Sequence, residues 1–352
     1  MADQDDTADV DVFLRSLGAT EEQIRTAHRE HHVAGLAGDL VLAEGTHLSA
    51  QDLARRAGVD VEAVLGIWRA LGVHVPDEDR PMFSEQDSEL TSHLIQMNPI
   101  GANGDELLRV LGSALARVAE AAVALYVQTV QPRIDLPGTD VVVGAQKLAS
   151  ATGAALRLGD SMGSIFAHQM RDAIDRQRTA QAGATERSLY RLAVGFVDLV
   201  GFTPLSLHIT PSRLLELIGR FEARAFEVAA AHDGRIVKHI GDEVMFVALD
   251  ASAACAIARD ITAAYSEGIE PRGGVAFGEV ISRHGDYYGT VVNLASRLAE
   301  LAVPKEVLVD GATAGAAEGP FTFRPAGKRL LKGFDEPYEV FSLVTESTPS
   351  AE

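Results

Sequence analysis

The feature that most constrains this chain is a change in hydrophobic period near residue 188. Before it, apolar residues recur at helical spacing through long Ala-, Leu-, Val- and Arg-rich stretches with few β-branched alternations. After it, apolar runs of strand length alternate with amphipathic helices, the pattern of an α/β or α+β domain. A helical half followed by a mixed half requires at least two cores, and 352 residues give room for two domains or three.

Composition narrows the function classes. With 47% hydrophobic and 23% charged residues the chain is neither disordered nor fibrous. The formal net charge is −19; residues 1–188 hold 28 acidic and 16 basic side chains, hence −12, and the remaining −7 lies beyond. Such a surface repels phosphate backbones and anionic lipid, which argues against a nucleic-acid or membrane-surface role while leaving room for a local basic groove. The single cysteine, Cys255, cannot form an internal disulfide and suits a reducing cytoplasm. The most apolar stretch, Leu111 to Val130, is interrupted by Arg117, Glu120 and Gln128, so no transmembrane segment is expected. Asp3, Asp5, Asp6 and Asp9 stand where a signal peptide would need basic and then apolar residues. The expected location is cytoplasmic.

In the helical half, Ser49 is placed to cap a helix through Asp52, Leu53, Ala54 and Ala57. Gly58 ends it, and a second helix follows through Val61, Val64, Leu65, Trp68 and Leu71. This spacing is similar to that of small DNA-binding modules, but the reading helix would begin with Asp60 and Glu62, which would face phosphates. A helical hairpin used for packing is the preferred reading. The stretch Leu107 to Thr129 predicts a helix buried in the core or against a partner. Pro132 and Pro137 mark a loop. A further helix is predicted from about Ala145 towards Gln181, weakened near Gly153, Gly159 and Gly163, and the polar run Arg171 to Arg187 reads as a connector.

The second half carries the chemistry. The run RLAVGFVDLV, Arg191 to Val200, predicts a strand ending on Asp198 beside Gly201. The run VKHIGDEVMF, Val237 to Phe246, predicts a hairpin turning at Gly241-Asp242. If the hairpin lies beside the first strand, Asp198 and Asp242 converge into a hard-oxygen site suited to Mg²⁺ or Mn²⁺. Either aspartate alone reads as a solvated turn residue; the pair carries the signal. In Asp286 to Arg297, DYYGTVVNLASR, Asn293 and Arg297 sit four apart on one helix face and offer an amide and a guanidinium to one anion. The alternative for Arg297 is a salt bridge, for instance to Glu300. Lys328, Arg329 and Lys332 form a basic cluster before Gly333. Acids for metal and separate cations suit a nucleoside triphosphate.

In order and spacing, FVDLVGFT, VKHIGDEVMF, DYYGTVVNLASRL and LKGF resemble the catalytic domain of class III nucleotidyl cyclases over residues 190–344. The resemblance implies an α+β chain: an all-α N-terminal domain, then a ferredoxin-like βααββαβ catalytic core with extra strands. Its active sites would lie between two catalytic domains arranged head to tail. It implies that Asp198 and Asp242 hold two divalent ions, Mg²⁺ or Mn²⁺, with the carbonyl of Leu199 assisting. Lys238 and Asp286 match the purine-reading positions, and both are of the adenine type. Asn293 would orient the ribose, Arg297 would stabilise charge on the α-phosphate, and Lys332 and Arg272 would bind phosphates. Pro271, Phe277 and the Tyr287 to Thr290 run depart from the commoner family sequence. The implied reaction is ATP to 3′,5′-cyclic AMP and pyrophosphate, with no covalent intermediate. His239 points to the opposite strand face from Lys238 and is left as a core or surface histidine. Because one chain carries both the metal and the purine-reading residues, a homodimer with two equivalent sites is expected, and an inactive monomer.

The helical half is similar to the regulatory domains of soluble actinobacterial cyclases. The implied division is a helical regulatory domain at 1–144, a helical linker at 145–188, the adenylate cyclase catalytic domain at 189–345 and a disordered tail at 346–352. Three roles compete for the first half: autoinhibitory sensor, dimerisation scaffold, and a DNA-binding module disfavoured by its charge. A cyclase-like binding module without activity is the non-enzyme alternative, against which all seven matched positions are present. Seven of the 11 histidines precede residue 189: His28, His31, His32, His47, His74, His93 and His168. Histidine titrates in the physiological window, and His168 on the connecting helix is the expected regulatory position. A small apolar ligand in the Ala/Val/Leu-rich helices is the other expected stimulus.

Overall fold

In the computed structural model the described residues are 2–97, 104–129, 131, 140–182, 189–263 and 269–344. The loop expected at Pro132 and Pro137, the end of the connector and the tail lie outside them. The chain divides into two units, Met1–His168 and Gln169–Glu352, and the boundary falls inside one helix, Val141–Ala182.

Among its described residues the first unit is helical apart from connecting turns and one antiparallel bridge between Leu48 and Phe83. Val10, Leu14, Ile24, Ala27, Leu36, Ala37 and Ala145 form one core cluster. A second gathers Leu48, Leu53, Ala54, Val64, Trp68 and Phe83. The helices Ala50–Ala57 and Val61–Ala70 start and stop as their sequence dictates, with a Ser49/Asp52 capping box at the first N-terminus and Gly58 in a left-handed conformation at its end. The second of them buries Val64 and Trp68; the Trp68 ring stands 4.8 Å from Phe83, and its Nε1 donates to Thr91 Oγ1 at 3.2 Å. These helices are a packing hairpin.

For the helix Gly104–Thr129, of the two expected settings, core or partner, the core is excluded within this chain, because Leu107, Leu115, Val123 and Leu125 are exposed. Nor do Arg117 and Glu120 disqualify it as a span: Glu106–Thr129, with mean hydropathy 1.6, is long and apolar enough to cross a membrane by length and composition, a test that core helices also pass. The helix predicted from about Ala145 towards Gln181 is present as Val141–Ala182 and runs through Gly153, Gly159 and Gly163, since a mid-helix glycine costs only about 1 kcal/mol and leaves the hydrogen-bond ladder intact.

The second unit is built on one mixed sheet. Its strands are β1 (Leu189–Val200), β2 (Arg235–Ile240), β3 (Glu243–Ala248), β4 (Glu270–Arg283), β5 (Asp286–Tyr288), β6 (Val307–Asp310), β7 (Phe323–Arg329) and β8 (Tyr338–Leu343). The sheet order is β2-β3-β1-β4-β6-β8-β7, with β5 paired to β4. Only β4 and β6 run parallel. Counting helices, the order opens βααββαβ, and the architecture is α+β. Helices Pro211–Ala231 and Ala251–Ala263 cover one face through Leu217, Phe221, Ala225, Ile257 and Ile261. Helix Thr290–Leu301 covers the other through Leu294, Ala295, Leu298 and Ala299. Gly274 permits its close approach: a Cβ there would lie 2.2 Å from Ala299 N and 2.4 Å from the Ala295 carbonyl.

Candidate active site

Strand alternation decides which side chains meet. Along β1, Ala193, Val197 and Leu199 enter the core under the first two helices, while Leu192, Val194 and Phe196 enter the core under Thr290–Leu301. Asp198 continues the second series. Its register partners are Glu243 on β3 and Arg272 on β4, which therefore share its face. Lys238 pairs in register with Met245, a member of that same core, so it too lies on this side. The one-residue step to His239 turns that side chain to the other face, where Nδ1 lies 3.8 Å from Glu222 and the ring 5.5 Å from Phe226. This is the opposition expected from the sequence, and His239 is a partly buried packing histidine.

Asp242 occupies the tight turn between Ile240 and Glu243, after Gly241 at φ +66°. Burial and the neighbouring Asp198 charge raise the Asp242 carboxyl above its ordinary value, with Arg272 opposing. Asp198 pairs in register with Glu243, the chain neighbour of Asp242, so the hairpin lies beside β1 as the sequence reading supposed. The same surroundings push Glu243 up to about 7, through burial first and then Asp198, Glu300 and Asp242. An acid cluster of this kind asks for positive charge, and Arg272 provides it: Nη2 and Nε donate to Asp198 Oδ2 at 2.9 and 3.1 Å. Arg272 Nη1 also donates to the carbonyls of Glu300 and Ala302 at 2.7 and 3.3 Å. Arg272, expected on phosphate, here rests on Asp198.

Asp198, Asp242 and the backbone of Leu199 supply oxygen only, the hard donors a divalent ion takes, while no group of three or more His, Cys, Asp or Glu that could hold a metal ion forms among the described residues.

The other expected residues fall as follows. Lys238 Nζ and Asp286 Oδ2 form an ion pair, and Asp286 Oδ1 accepts from the Tyr287 backbone N–H at 2.8 Å. Asn293 and Arg297 share the helix Thr290–Leu301. Asn293 is exposed and its side chain makes no hydrogen bond among the described residues. Arg297 pairs with Glu300, the alternative its spacing had offered. Lys332 is exposed just after buried Leu331 and makes no ion pair among the described residues. Phe277, a departure from the family pattern, lies under the Arg191 guanidinium, 5.0 Å from ring centroid to Cζ.

Sequence reading misses Glu243, while it names Glu300 as a partner for Arg297. Glu243 was visible in principle, as a carboxylate inside an otherwise apolar strand run. In the first unit His168 is exposed, whereas His28 meets Asp11 at 2.7 Å, His47 meets Glu85 at 3.1 Å and His32 meets Asp39 at 3.3 Å. A hollow of about 300 Å³ there is lined by Gln23, Ala27, Glu30, His32, Leu36 and Asp39 among others, largely polar residues whose exposed lining is mostly carbon.

Known proteins share both halves. Residues 2–174 match the adenylate cyclase regulatory domain, and residues 185–345 match the adenylate and guanylate cyclase catalytic domain. An adenylate cyclase of Streptomyces coelicolor is 36% identical over 74% of this chain and 69% of its own. An uncharacterized protein of Mycobacterium tuberculosis is 32% identical over 94% and 88%. A pH-sensitive adenylate cyclase of the same species is 30% identical over 91% and 83%. Catalytic domains of this family generally use divalent metals. With both halves matched and the sheet, hairpin and helix in the order its motifs require, the chain belongs to the class III nucleotidyl cyclases that carry an adenylate cyclase regulatory domain ahead of the catalytic one.

Proposed function

We propose that this protein is an adenylate cyclase that converts ATP to 3′,5′-cyclic AMP and pyrophosphate at two equivalent sites between the catalytic domains of a homodimer. The observation that carries the reading is that one chain presents both halves of such a site, the Asp198 and Asp242 carboxylates at the β1 end and the β2–β3 turn and the adenine-type Lys238–Asp286 pair, which two copies would combine at each interface. Asp198 and Asp242, with the Leu199 carbonyl, would hold two Mg²⁺ or Mn²⁺ ions; when bound, these acidify the ribose 3′-hydroxyl and neutralise phosphate charge.

This chain's own groups do the rest. Lys238 donates to the adenine ring nitrogen and Asp286 accepts from the amino group, so each has to exchange its present partner for the base. Asn293 orients the ribose. Arg297 meets the charge that develops on the α-phosphate, and Lys332 and Arg272 hold the phosphate chain. The polyphosphate competes with Asp198 for Arg272, so substrate entry frees that carboxylate for its ligand role. No nucleophilic side chain is needed, and catalysis is positioning plus electrostatics.

The test is to incubate purified protein with ATP or GTP and Mn²⁺ and measure cyclic nucleotide. Formation of cyclic AMP in preference to cyclic GMP is expected; absence of either product, or a guanine preference, refutes the reading. Site sharing is checked by mixing inactive Asp198→Ala and Asn293→Ala chains. Recovery of activity is expected, and exchange of subunits without recovery places each site within one chain.

The 1–144 segment is proposed to regulate the catalytic domain, which starts at 189, through the helical stretch between them. Support for pH as the stimulus comes from the histidine–carboxylate contacts His28–Asp11 and His47–Glu85 and from the pH-sensitive relative. His168, exposed on the long helix, is the weaker location, and an apolar ligand is the other stimulus to try. A pH–activity profile that keeps its shape in the His28→Gln, His47→Gln double variant rules out these two contacts as the sensor.

A further inference from the structure

Each of three cationic side chains of the second unit faces a carboxylate of the same chain: Arg272 on Asp198, Lys238 on Asp286 and Arg297 on Glu300. Under the reading above, two of those carboxylates have work of their own, Asp198 on metal and Asp286 on the base. Glu300 has none. It follows Arg297 by three residues on the helix Thr290–Leu301, so the helical backbone alone keeps the two within reach of each other.

Its surroundings set Glu300 apart from an ordinary helix-surface partner. Its main-chain carbonyl accepts from Arg272 Nη1 at 2.7 Å, the same guanidinium that rests on Asp198. Its carboxylate is also one of the charges that push Glu243, the register partner of Asp198, upward. Glu300 therefore adds negative charge beside a cluster that already has an excess. Among the described residues, the one ion pair it makes is with Arg297. While that pair stands, the guanidinium edge that would grip a phosphate is occupied.

We propose that Glu300 is a positioning residue that holds Arg297 in the resting enzyme and must release it before Arg297 can meet the α-phosphate, an inference that rests on the adenylate cyclase reading of the site. Both partners are partly exposed, with 33% and 54% of their side-chain surface open. An ion pair of that kind shifts an equilibrium by a factor of roughly 2–5, so Glu300 tempers the reaction without blocking it.

The experiment uses the full-length protein with radiolabelled ATP and Mn²⁺. Glu300→Gln keeps the size of the side chain and leaves the carbonyl contact to Arg272 in place. It is expected to raise kcat/KM by about 2–5-fold at low ionic strength. The gain should fade near ~0.5 M salt, where screening already opens the pair in the wild type. In an Arg297→Ala background, Glu300→Gln is expected to leave the residual rate unchanged. An unchanged kcat/KM at low salt makes Glu300 a surface partner only and overturns the proposal. A loss of activity means that Glu300 orients Arg297 for the reaction, and overturns it as well. A gain that persists without Arg297 means that the charge acts through Glu243 and the metal carboxylates, again against it. If the wild type makes no cyclic AMP, the adenylate cyclase reading itself falls, a result readable before any variant is made.

Discussion

Gly274→Ala is the smallest substitution that tests whether close seating of the helix Thr290–Leu301 on β4 sets the catalytic geometry. The added Cβ would lie 2.2 Å from Ala299 N, 2.4 Å from the Ala295 carbonyl oxygen and 2.8 Å from Leu298 C, all of them backbone atoms. No side chain can turn away to relieve this. Ordinary contacts begin near ~3.5 Å, so helix and strand must part by about 1 Å. Overpacking of this sort costs roughly 1–3 kcal/mol, a fall in melting temperature of about 2–10 °C for a unit of this size. The larger effect falls on chemistry, because Asn293 and Arg297 ride on the displaced helix, and an error near 1 Å in a positioning group costs on the order of 100-fold in rate. Asp198, Lys238, Asp242 and Asp286 sit on strands and the hairpin turn, so KM for ATP should move little. The assay pairs thermal unfolding with steady-state kinetics. Gly163→Ala is the control: nothing lies within 4 Å of its added Cβ, and in a helix interior it should stabilise by about 1 kcal/mol. A Gly274→Ala protein that melts within about 1 °C of wild type and turns over within about 3-fold would refute the reasoning.

Asp198→Asn should abolish metal-linked stabilisation as well as at least ~100-fold of turnover. At ten times its dissociation constant, Mn²⁺ adds about 1.4 kcal/mol to the wild type, roughly 3–6 °C in melting temperature, and should add nothing to the variant. Lys238→Glu combined with Asp286→Cys should weaken ATP use by about 1–3 kcal/mol per lost contact, measured as kcat/KM for ATP against GTP; an unchanged ATP preference removes both residues from base reading. Asp260 gives a pH test away from the site. Burial opposes its charge, but Arg259 at 2.7 Å and His232 at 2.8 Å outweigh burial and hold the carboxyl below its ordinary value of 3.8. A depressed folded-state value contributes stability above the unfolded value and loses it as pH falls through the folded one. Asp260→Asn should therefore cost about 1 kcal/mol at pH 7, with the gap to wild type closing as pH drops below 4 in urea melts. A gap constant between pH 7 and pH 4, and still open below it, would show that the effect is packing rather than charge.

Much of the fold was legible because local pattern and tertiary need agree. RLAVGFVDLV reads as a strand with apolar residues at both parities, and β1 is central, with a core on each side. The Gly-Asp turn in VKHIGDEVMF fixed both the hairpin and, by register, the face on which Lys238 lies. The long helices show where pattern stops helping. An apolar stripe such as Leu107, Leu115, Val123 and Leu125 states that a helix has surface to cover, not what covers it, and within this chain that surface stays open. Glycine at 153, 159 and 163 weakens the pattern without ending it, because its penalty is small beside the sum over the 42 residues of that helix.

The site divides along the same line, between what spacing encodes and what only assembled geometry reveals. Residue identity and order located Asp198, Lys238, Asp242, Asp286, Asn293 and Arg297, since each motif places one chemical group at a strand end, a turn or a helix face. Charge pairing is different, because it depends on separations between segments far apart in sequence. Arg272 and Asp198 are 74 residues apart and meet only through the β1–β4 ladder, and Lys238 and Asp286 are 48 apart. Once these meet, each of the two self-neutralises, which is how a chain of net charge −19 keeps cations facing inward without a ligand. The arrangement has a consequence for binding. On the proposed reading a nucleotide would exchange for carboxylates already in place, so part of its Coulombic gain would be offset by the pairs it breaks. Affinity should then be modest and steeply dependent on the metal that takes over Asp198 and Asp242. By the same logic, truncating Asp286 alone should leave Lys238 unpaired on a partly buried face, raising local positive charge while removing base recognition. Nucleotides of every base should then bind that variant more alike, and discrimination should be lost before affinity is.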